Sequence, residues 1–268
     1  MFIRIGQYHL SFSTIDTDNA ENPINYEPYV VKSSMSIAAN LREALKGAGL
    51  KQTGIVKATV LIDAPILLIP VEAFEEQKMD EMFRHSFPNR EQEQVLYNVL
   101  PDLNTVAVFS INKDLKLVLD DNFANLRVTV AMQPVWRHLH RRSFFGARNK
   151  LYGYFHEQEL DIFSFYQNRF KFYNRFETHH ERDALYFLLY VWKQLALNNE
   201  HDELHLVGNI FAYDTQADRD KQKWLTDELR LYLQNVYTIN PSAEFNRAPV
   251  TKIKGMPFDL MAFFAKGQ

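Results

Sequence analysis

"FIRIGQYHLSFSTID", residues 2–16, has the pattern of two short strands around a tight turn. Apolar and polar residues alternate on both sides of the segment 6–9, and a period of two is typical of a half-buried strand. A third strand is predicted at residues 29–34, and Ser36 is placed to cap the helix that follows. An apolar strand within residues 54–62 then completes the order strand, strand, strand, helix, strand.

The same order returns in the second half of the chain. Residues 150–176 have the pattern of a three-strand meander, and Thr178 and Glu181 have the spacing of a capping box for a helix through Leu195. That helix is apolar on nearly all sides, which predicts a buried, central element. A strand that breaks at Gly208 follows. An amphipathic helix then ends the unit, with one face formed by Leu225, Leu229, Tyr232 and Val236.

This repeated order predicts an α/β protein with two related lobes. Each lobe is expected to have a mixed sheet that is led by a three-strand meander and flanked by helices. The boundary is expected near residues 143–149. We therefore predict an N-terminal lobe at residues 1–145 and a C-terminal lobe at residues 146–268.

The elements between the two units are predicted from local pattern. The apolar run 66–74 predicts a further strand, and an amphipathic helix that contains Phe83 is predicted to follow. Segments 105–112 and 115–121 are interpreted as a hairpin. A further helix is predicted to start at Pro134, whose fixed φ suits a first turn.

Composition limits the classes of chemistry. The chain has 268 residues, of which 46% are hydrophobic, so it can bury a proper core. It contains no Cys, which excludes disulfides and thiolate nucleophiles. The N-terminus lacks the pattern of a secretory signal, and the longest dense apolar run, residues 184–192, is too short to span a bilayer. A cytoplasmic protein is expected.

The two lobes resemble those of the actin-like ATPase superfamily, which has a ribonuclease H-like fold and includes actin, heat-shock chaperones, sugar kinases and the pilus-assembly protein PilM. The chain as a whole is similar to a bacterial family of unknown function with an actin-like ATPase fold. The resemblance implies the two-lobed fold along essentially the full length. It does not by itself carry an activity.

The phosphate-handling motifs of these ATPases are altered in this chain. Where their first turn has Asp-x-Gly, this sequence has Arg4-Ile5-Gly6, and a guanidinium cannot hold Mg²⁺. Their second turn, Asp-x-Gly-x-Gly, falls on residues 154–161, where both glycines are missing and two glutamates would repel a triphosphate. Their Gly-Gly adenosine motif has a partial match at Gly208-Asn209. Hydrolysis is therefore expected to be lost.

The candidate cleft residues are accordingly Arg4, Gly6, Gly208 and Asn209. The alternative is that the two glycines serve only a turn and a strand end, which favour glycine for its freedom at positive φ. No catalytic residue, metal ligand or cofactor is predicted. ATP is a candidate ligand only if the chain is a nucleotide binder, which is the alternative function. The close histidine pairs 138/140, 179/180 and 201/205 lack the spacing of a zinc hydrolase.

One stretch, at positions 122–156, is strongly basic. It contains no acidic residue but six basic ones, which are Arg127, Arg137, Arg141, Arg142, Arg148 and Lys150. The candidate interaction patch within it consists of Trp136, Arg137, Arg141 and Arg142. It is interpreted as a docking surface for an acidic protein or nucleic acid, with Trp136 and Phe144 or Phe145 as apolar anchors. The alternative is ion pairing within the chain, for example with the acidic segment 75–82. Net charge of −3 argues against general nucleic-acid binding.

The leading functional hypothesis is a non-catalytic, degenerate actin-fold protein that acts as an adaptor or assembly platform through contact with another protein. The alternative is a nucleotide or small anionic ligand binder, including an atypical ATPase or phosphotransferase that uses the cleft between the lobes.

Overall fold

The computed structural model describes residues 1–16, 23–47, 57–144, 146–167, 169–208 and 216–265, with the side chains of residues 217 and 218 left out. The first sheet has the strand order β3-β2-β1-β4-β8. Its strands are β1 (Phe2–Ile5), β2 (His9–Ile15), β3 (Ile24–Val30), β4 (Lys57–Ile62) and β8 (Asn125–Val130).

The second five-stranded sheet repeats this arrangement, with the order β11-β10-β9-β12-β13. Its strands are β9 (Lys150–His156), β10 (Glu159–Tyr166), β11 (Arg169–Glu177), β12 (Glu203–Gly208) and β13 (Val236–Thr238). In each sheet the leading strand is antiparallel to the second strand and parallel to the strand that follows the helix. The predicted mixed sheets, each led by a meander, are confirmed, but the third strand of the first meander lies at residues 24–30 and not at the predicted 29–34.

A smaller antiparallel sheet has the order β5-β7-β6 and lies in sequence between β4 and β8. Its strands are β5 (Ile66–Pro70), β6 (Glu93–Leu100) and β7 (Thr105–Asn112). The α-helices are α1 (Ile37–Gly47), α2 (Met79–Ser86), α3 (Lys113–Asn122), α4 (Met132–Ser143), α5 (Glu181–Gln194), α6 (Gln216–Arg230), α7 (Pro241–Glu244) and α8 (Phe258–Phe264). None of them, within the described part of the chain, is long and apolar enough to cross a membrane.

The largest hydrophobic core joins the first sheet to residues from late in the chain. It contains Ile3 and Leu61 from the first sheet, Tyr154 from β9, and Phe258 and Leu260 from α8. Helix α8 packs against α4. The described strands of the two large sheets fall on either side of residue 145, and the predicted lobe boundaries remain a prediction.

The predicted hairpin at residues 105–121 is wrong. Residues 105–112 form β7 as expected, but residues 113–122 form α3. The side chain of Asn112 accepts a hydrogen bond from the backbone N–H of Leu115 at 3.1 Å, which is the bond of an N-cap. Asn is common both in turns and at helix N-caps, so the sequence pattern does not distinguish the two. The burial of Leu115 and Leu119 favours the helix.

Helix α5 differs from its prediction in its cap and its burial. The Asp183 carboxylate, not a Thr178–Glu181 pair, accepts hydrogen bonds from the backbone N–H groups of residues 179 and 180. The helix is not buried on all sides, because Tyr186 and Tyr190 are exposed.

Two further helices differ at their ends. Helix α6 ends at Arg230, so Tyr232 lies beyond it and is exposed, and Val236 belongs to β13. Helix α4 starts at Met132, and Pro134 lies within its first turn, where a missing N–H is tolerated.

Candidate functional site

The turn between β1 and β2 is filled by a side chain from the second sheet. Glu157, between β9 and β10, accepts hydrogen bonds through Oε2 from the backbone N–H groups of Gln7 and Tyr8, both at 3.0 Å. Its other oxygen accepts a hydrogen bond from Nη1 of Arg4 at 3.3 Å. The carboxylate therefore occupies the N–H groups that a phosphate would need at this turn.

Glu157 is held in its ionised form. Burial raises its pKa, but His9, Arg4 and the N–H of Tyr8 outweigh that effect and bring the pKa below its usual value. The residue has φ of +53°, in the left-handed region that a turn of this kind requires. The backbone turn thus aims the carboxylate at the first sheet.

Arg4 is buried, with 5% of its side chain exposed, and both ends of its guanidinium are paired. Besides its bond to Glu157, its Nε donates to Oδ2 of Asp259 in α8 at 2.8 Å. A buried Arg needs such partners because an unpaired interior charge is costly. The predicted Arg4 therefore lies in the cleft but is already engaged by two carboxylates.

Gly6 is required by the approach of Glu157. A Cβ at this position would lie 2.0 Å from Oε1 of Glu157 and 2.8 Å from Nη1 of Arg4. Both distances are too short for any side chain. The glycine therefore permits the close contact between the two turns.

A second buried charge cluster lies beside the first. His156 at the end of β9 has its Nδ1 2.9 Å from Oδ2 of Asp63, at the end of β4, and its Nε2 2.5 Å from Oδ2 of Asp161 in β10. Arg175 in β11 contacts the same two carboxylates, with Nη1 2.8 Å from Oδ1 of Asp63 and Nη2 2.9 Å from Oδ2 of Asp161. The hydroxyl of Tyr173 donates to Asp161 at 2.8 Å.

The titration of this cluster is set by its own charges. Burial lowers the pKa of His156, but the carboxylates of Asp63 and Asp161 outweigh it and raise the pKa to about 9. Burial raises the pKa of Asp63, but Arg175 and His156 bring it well below its usual value. At neutral pH the cluster is therefore a fully ionised set of two cations and two anions.

This pairing limits the chemistry that the cluster can perform. Each carboxylate is shared by a guanidinium and an imidazolium, so no free carboxylate is available as a general base or a ligand for Mg²⁺. In the described ranges, no group of three or more His, Asp or Glu has the geometry of a metal site.

Gly208 closes the other side of the cleft. It has φ of +83°, and a Cβ there would lie 2.2 Å from the carbonyl oxygen of Phe155 and 2.7 Å from the Tyr154 ring. Gly208 and Arg4 line the same cavity of about 300 Å³, together with Glu157. Asn209 lies outside the described residues. The structure thus brings together Arg4, Gly6 and Gly208 around Glu157.

The predicted interaction patch does not form one surface. Trp136 is completely buried, so its expected role as an exposed anchor is wrong. Its ring packs edge-on against Phe170 at 5.2 Å and Tyr173 at 5.1 Å between ring centroids. The stretch is amphipathic, and the tryptophan lies on its apolar side.

The arginines of the patch differ in their ion-pair partners. Arg137 pairs with Asp102 at 3.3 Å, Arg142 pairs with Glu244 of α7, and Arg141 is exposed. Their carboxylate partners are not in the segment 75–82. Phe144 is exposed, and Phe145 lies outside the described residues.

The sequence motif predicts Arg4 as a cleft residue but does not indicate its partners, Glu157 and Asp259. The sequence indicates Glu157 only as a group that repels a triphosphate, whereas the structure shows that it accepts hydrogen bonds from the first turn and from Arg4. Asp63 follows an apolar strand, and Asp161 interrupts one, which is a usable signal because buried carboxylates need partners. The identity of those partners depends on contacts between the two sheets, which spacing does not provide.

Comparison with known proteins agrees with the fold described above. A family model described as "Protein of unknown function (DUF3822)" matches residues 1–245. A Bacteroides thetaiotaomicron protein with actin-like ATPase fold and unknown function is 28% identical, with a TM-score of 0.78 over 94% of this chain and 95% of that one. The PilM–PilN type IV pilus biogenesis complex contains a chain that is 12% identical, with a TM-score of 0.54 over 90% of this chain and 88% of that one. Nothing among the curated proteins matches.

Proposed function

The chain belongs to the DUF3822 family of proteins of unknown function, and we propose that it is a non-catalytic member of the actin-like fold that acts through contact with another protein. The lack of catalysis is inferred from the position of Glu157. Its carboxylate takes the two backbone N–H groups of the first turn and one end of Arg4. A cytoplasmic location is part of the same proposal.

A bound triphosphate would have to displace this carboxylate or lie beside it. Two like charges about 4 Å apart repel by about 4 kcal/mol at an effective dielectric constant of 20. Displacement would take the turn N–H groups and Arg4 away from Glu157 and leave Arg4 with Asp259 alone. Either route opposes nucleotide binding at this turn.

Calorimetric titration with ATP and Mg²⁺, together with a phosphate-release assay, tests the loss of catalysis. We expect neither heat of binding nor turnover. A micromolar dissociation constant accompanied by phosphate release would overturn the proposal.

The contact surface that we propose is a groove between two sheet edges. Strand β5 is hydrogen-bonded to β7 alone, and β11 to β10 alone, among the described strands. The two edges line one cavity of about 740 Å³, with Leu67, Phe170 and Phe172 as apolar lining. An extended segment of a partner protein can add to such an edge through backbone hydrogen bonds. The PilM–PilN complex supports protein contact as a use of this fold.

A photo-crosslinking residue in place of Lys171 tests this surface in cells. Lys171 is exposed and lines the groove, whereas Arg42 on α1 is exposed and does not, so the same residue at position 42 is the matched control. We expect one discrete adduct from position 171 and none from position 42. Identical adducts from both positions, or none from position 171, would contradict the groove as the contact surface.

A nucleotide or small anionic ligand in the cleft, with an atypical ATPase or phosphotransferase activity, is the second candidate function. The cavity of about 300 Å³ beside Arg4 favours it, because this volume is at the lower end of ligand sites. A thermal-shift panel of anionic ligands on the native protein and on Arg4→Ala tests it. A ligand that stabilises only the native protein would support this candidate, and the absence of any shift would exclude it.

A further inference from the structure

A second cavity, of about 830 Å³, lies between α4 and the segment 244–265 and does not include the cleft residues. Basic side chains from three elements line it. They are His138, Arg141 and Arg142 from α4, Lys150 from β9 and His205 from β12. Two carboxylates, Glu203 and Glu244, also line it.

Both carboxylates already have partners within the chain. Glu244 lies 2.7 Å from Nε2 of His138 and pairs with Arg142. Glu203 lies 2.9 Å from Nε2 of His205 and 3.7 Å from Nη1 of Arg148. These contacts leave the carboxylates little capacity to neutralise further cations.

The cavity therefore has an excess of positive charge. Its lining carries three formal positive charges, on Arg141, Arg142 and Lys150, against two negative charges. Arg141 has no carboxylate partner in the described part of the chain, and its Nε donates only to the carbonyl of Arg137, at 3.4 Å. A guanidinium in this position can form paired hydrogen bonds with an oxyanion.

The deeper part of the cavity has a polar atom without a partner. His205 is 5% exposed, and its Nδ1 is buried without a hydrogen bond among the described residues. The ring is fixed between Tyr152 and Tyr237, with centroid distances of 5.4 and 5.3 Å, and its Nε2 faces Glu203. Burial lowers the pKa of His205, so the neutral ring donates through Nε2 to Glu203 and its Nδ1 is an acceptor, to which the hydroxyl of a hydrogenphosphate group can donate.

The size and depth of the cavity favour a small ligand over a macromolecule. Lys150 and His205 are both more than nine-tenths buried, and a protein surface cannot reach them. The opposite side is lined by the small side chains of Ala248, Ala262 and Ala265, which leave space.

We propose that this cavity binds a small polyvalent oxyanion that carries phosphate groups. Arg141 and Arg142 contact it at the mouth, and Lys150 and His205 contact it at the base. The site is separate from the cleft and from the groove, so it goes beyond the proposed function.

Calorimetric titration of the full chain with inorganic pyrophosphate at fixed ionic strength tests the proposal, with a sugar monophosphate and citrate in parallel. We expect the phosphate compounds to bind and Arg141→Ala to weaken binding about tenfold, because a charge-assisted hydrogen bond contributes about 1.5 kcal/mol or more. Arg127→Ala is the matched control, since Arg127 is an exposed arginine of the same basic stretch that does not line the cavity. Its affinity should be unchanged.

The two phosphate arms distinguish the source of the ligand. Binding of the sugar monophosphate identifies an ester, and binding of pyrophosphate alone identifies an inorganic anion. The absence of binding by both, an equal loss in Arg127→Ala and Arg141→Ala, or tighter binding of citrate than of either phosphate compound would overturn the proposal. A further titration uses an acidic peptide, and binding of that peptide without binding of pyrophosphate would also overturn the proposal.

Discussion

At the scale of single residues, one carboxylate and one guanidinium define the turn between β1 and β2. Glu157 supplies negative charge to the two backbone N–H groups of the turn. Arg4 gives that carboxylate a counter-ion. The two residues are chemically complementary, because each loses one partner when the other is removed: Arg4 then keeps only Asp259, and Glu157 keeps the two backbone N–H groups.

Removal of the Glu157 side chain should restore an anion site at the turn. In Glu157→Ala, the N–H groups of Gln7 and Tyr8 and one end of Arg4 lose their acceptor. We expect sulfate or phosphate to raise the melting temperature of this variant more than that of the native protein. We also expect the variant alone to lose about 3 kcal/mol of unfolding free energy, since one partner of a buried ion pair is removed.

Glu177→Gln is the control for this prediction, because Glu177 is exposed at the end of β11. Its unfolding free energy should change by less than about 0.5 kcal/mol. Equal stabilisation of both variants by sulfate would show that the anion acts elsewhere.

His156 predicts a loss of stability at alkaline pH. Its folded pKa of about 9 lies above the ordinary value of 6.5, so its contribution is complete below about pH 6.5 and is lost as pH rises through 9. The difference corresponds to roughly 3 kcal/mol of unfolding free energy. Urea denaturation at pH 6.5 and pH 10 measures it.

Other groups also titrate in this range, so the comparison requires a variant. His156→Gln should be less stable at pH 6.5 and should depend less on pH between 6.5 and 10, whereas His179→Gln, at an exposed position, should follow the native curve. A steep native dependence that persists in His156→Gln would contradict the assignment.

At the scale of elements, the local sequence pattern predicts the strands in which apolar and polar residues alternate. It fails where one residue is compatible with two kinds of structure. The meander β9–β11 was predicted because its apolar positions alternate and polar turns separate its strands. Asn112 is compatible with a turn and with an N-cap, and only the burial of Leu115 and Leu119 against the core selects the helix. The segment of β6 gave no clear periodic signal, because its side chains are mostly half-buried.

Asn112 provides a direct test of the α3 cap. Asn112→Ala removes the acceptor for the N–H of Leu115 and should lower the unfolding free energy by about 1 kcal/mol. Asn125→Ala, at an exposed position at the start of β8, should have a smaller effect. Chemical denaturation of both variants measures the difference, and equal effects would contradict the role of Asn112 as a cap.

At the scale of the whole molecule, buried charges connect the two large sheets. Glu157 and His156 come from the second sheet and contact Arg4 and Asp63 of the first sheet or its end. Arg175 adds a further contact to Asp63. These contacts depend on residues far apart in sequence, which is why the fold could be predicted from repeated patterns but the site could not.

The same contacts predict that the two sheets unfold together. Asp63→Asn weakens the ties to His156 and Arg175 at once, and we expect it to lower the unfolding free energy by about 3–5 kcal/mol, the range for a broken buried pair. Hydrogen exchange should become faster both in β4 and in β9, although the substitution lies at the end of β4 alone. Mass spectrometry of peptides from the two strands measures this.

Asp120→Asn is the matched control, because Asp120 pairs with Lys116 on the surface of α3 at 2.6 Å. A pair of this type contributes less than about 1 kcal/mol, so exchange in β4 and β9 should be unchanged. Faster exchange confined to β4 in Asp63→Asn would mean that the sheets unfold independently. In that case the cluster would serve only to neutralise buried charge and would not hold the two sheets together.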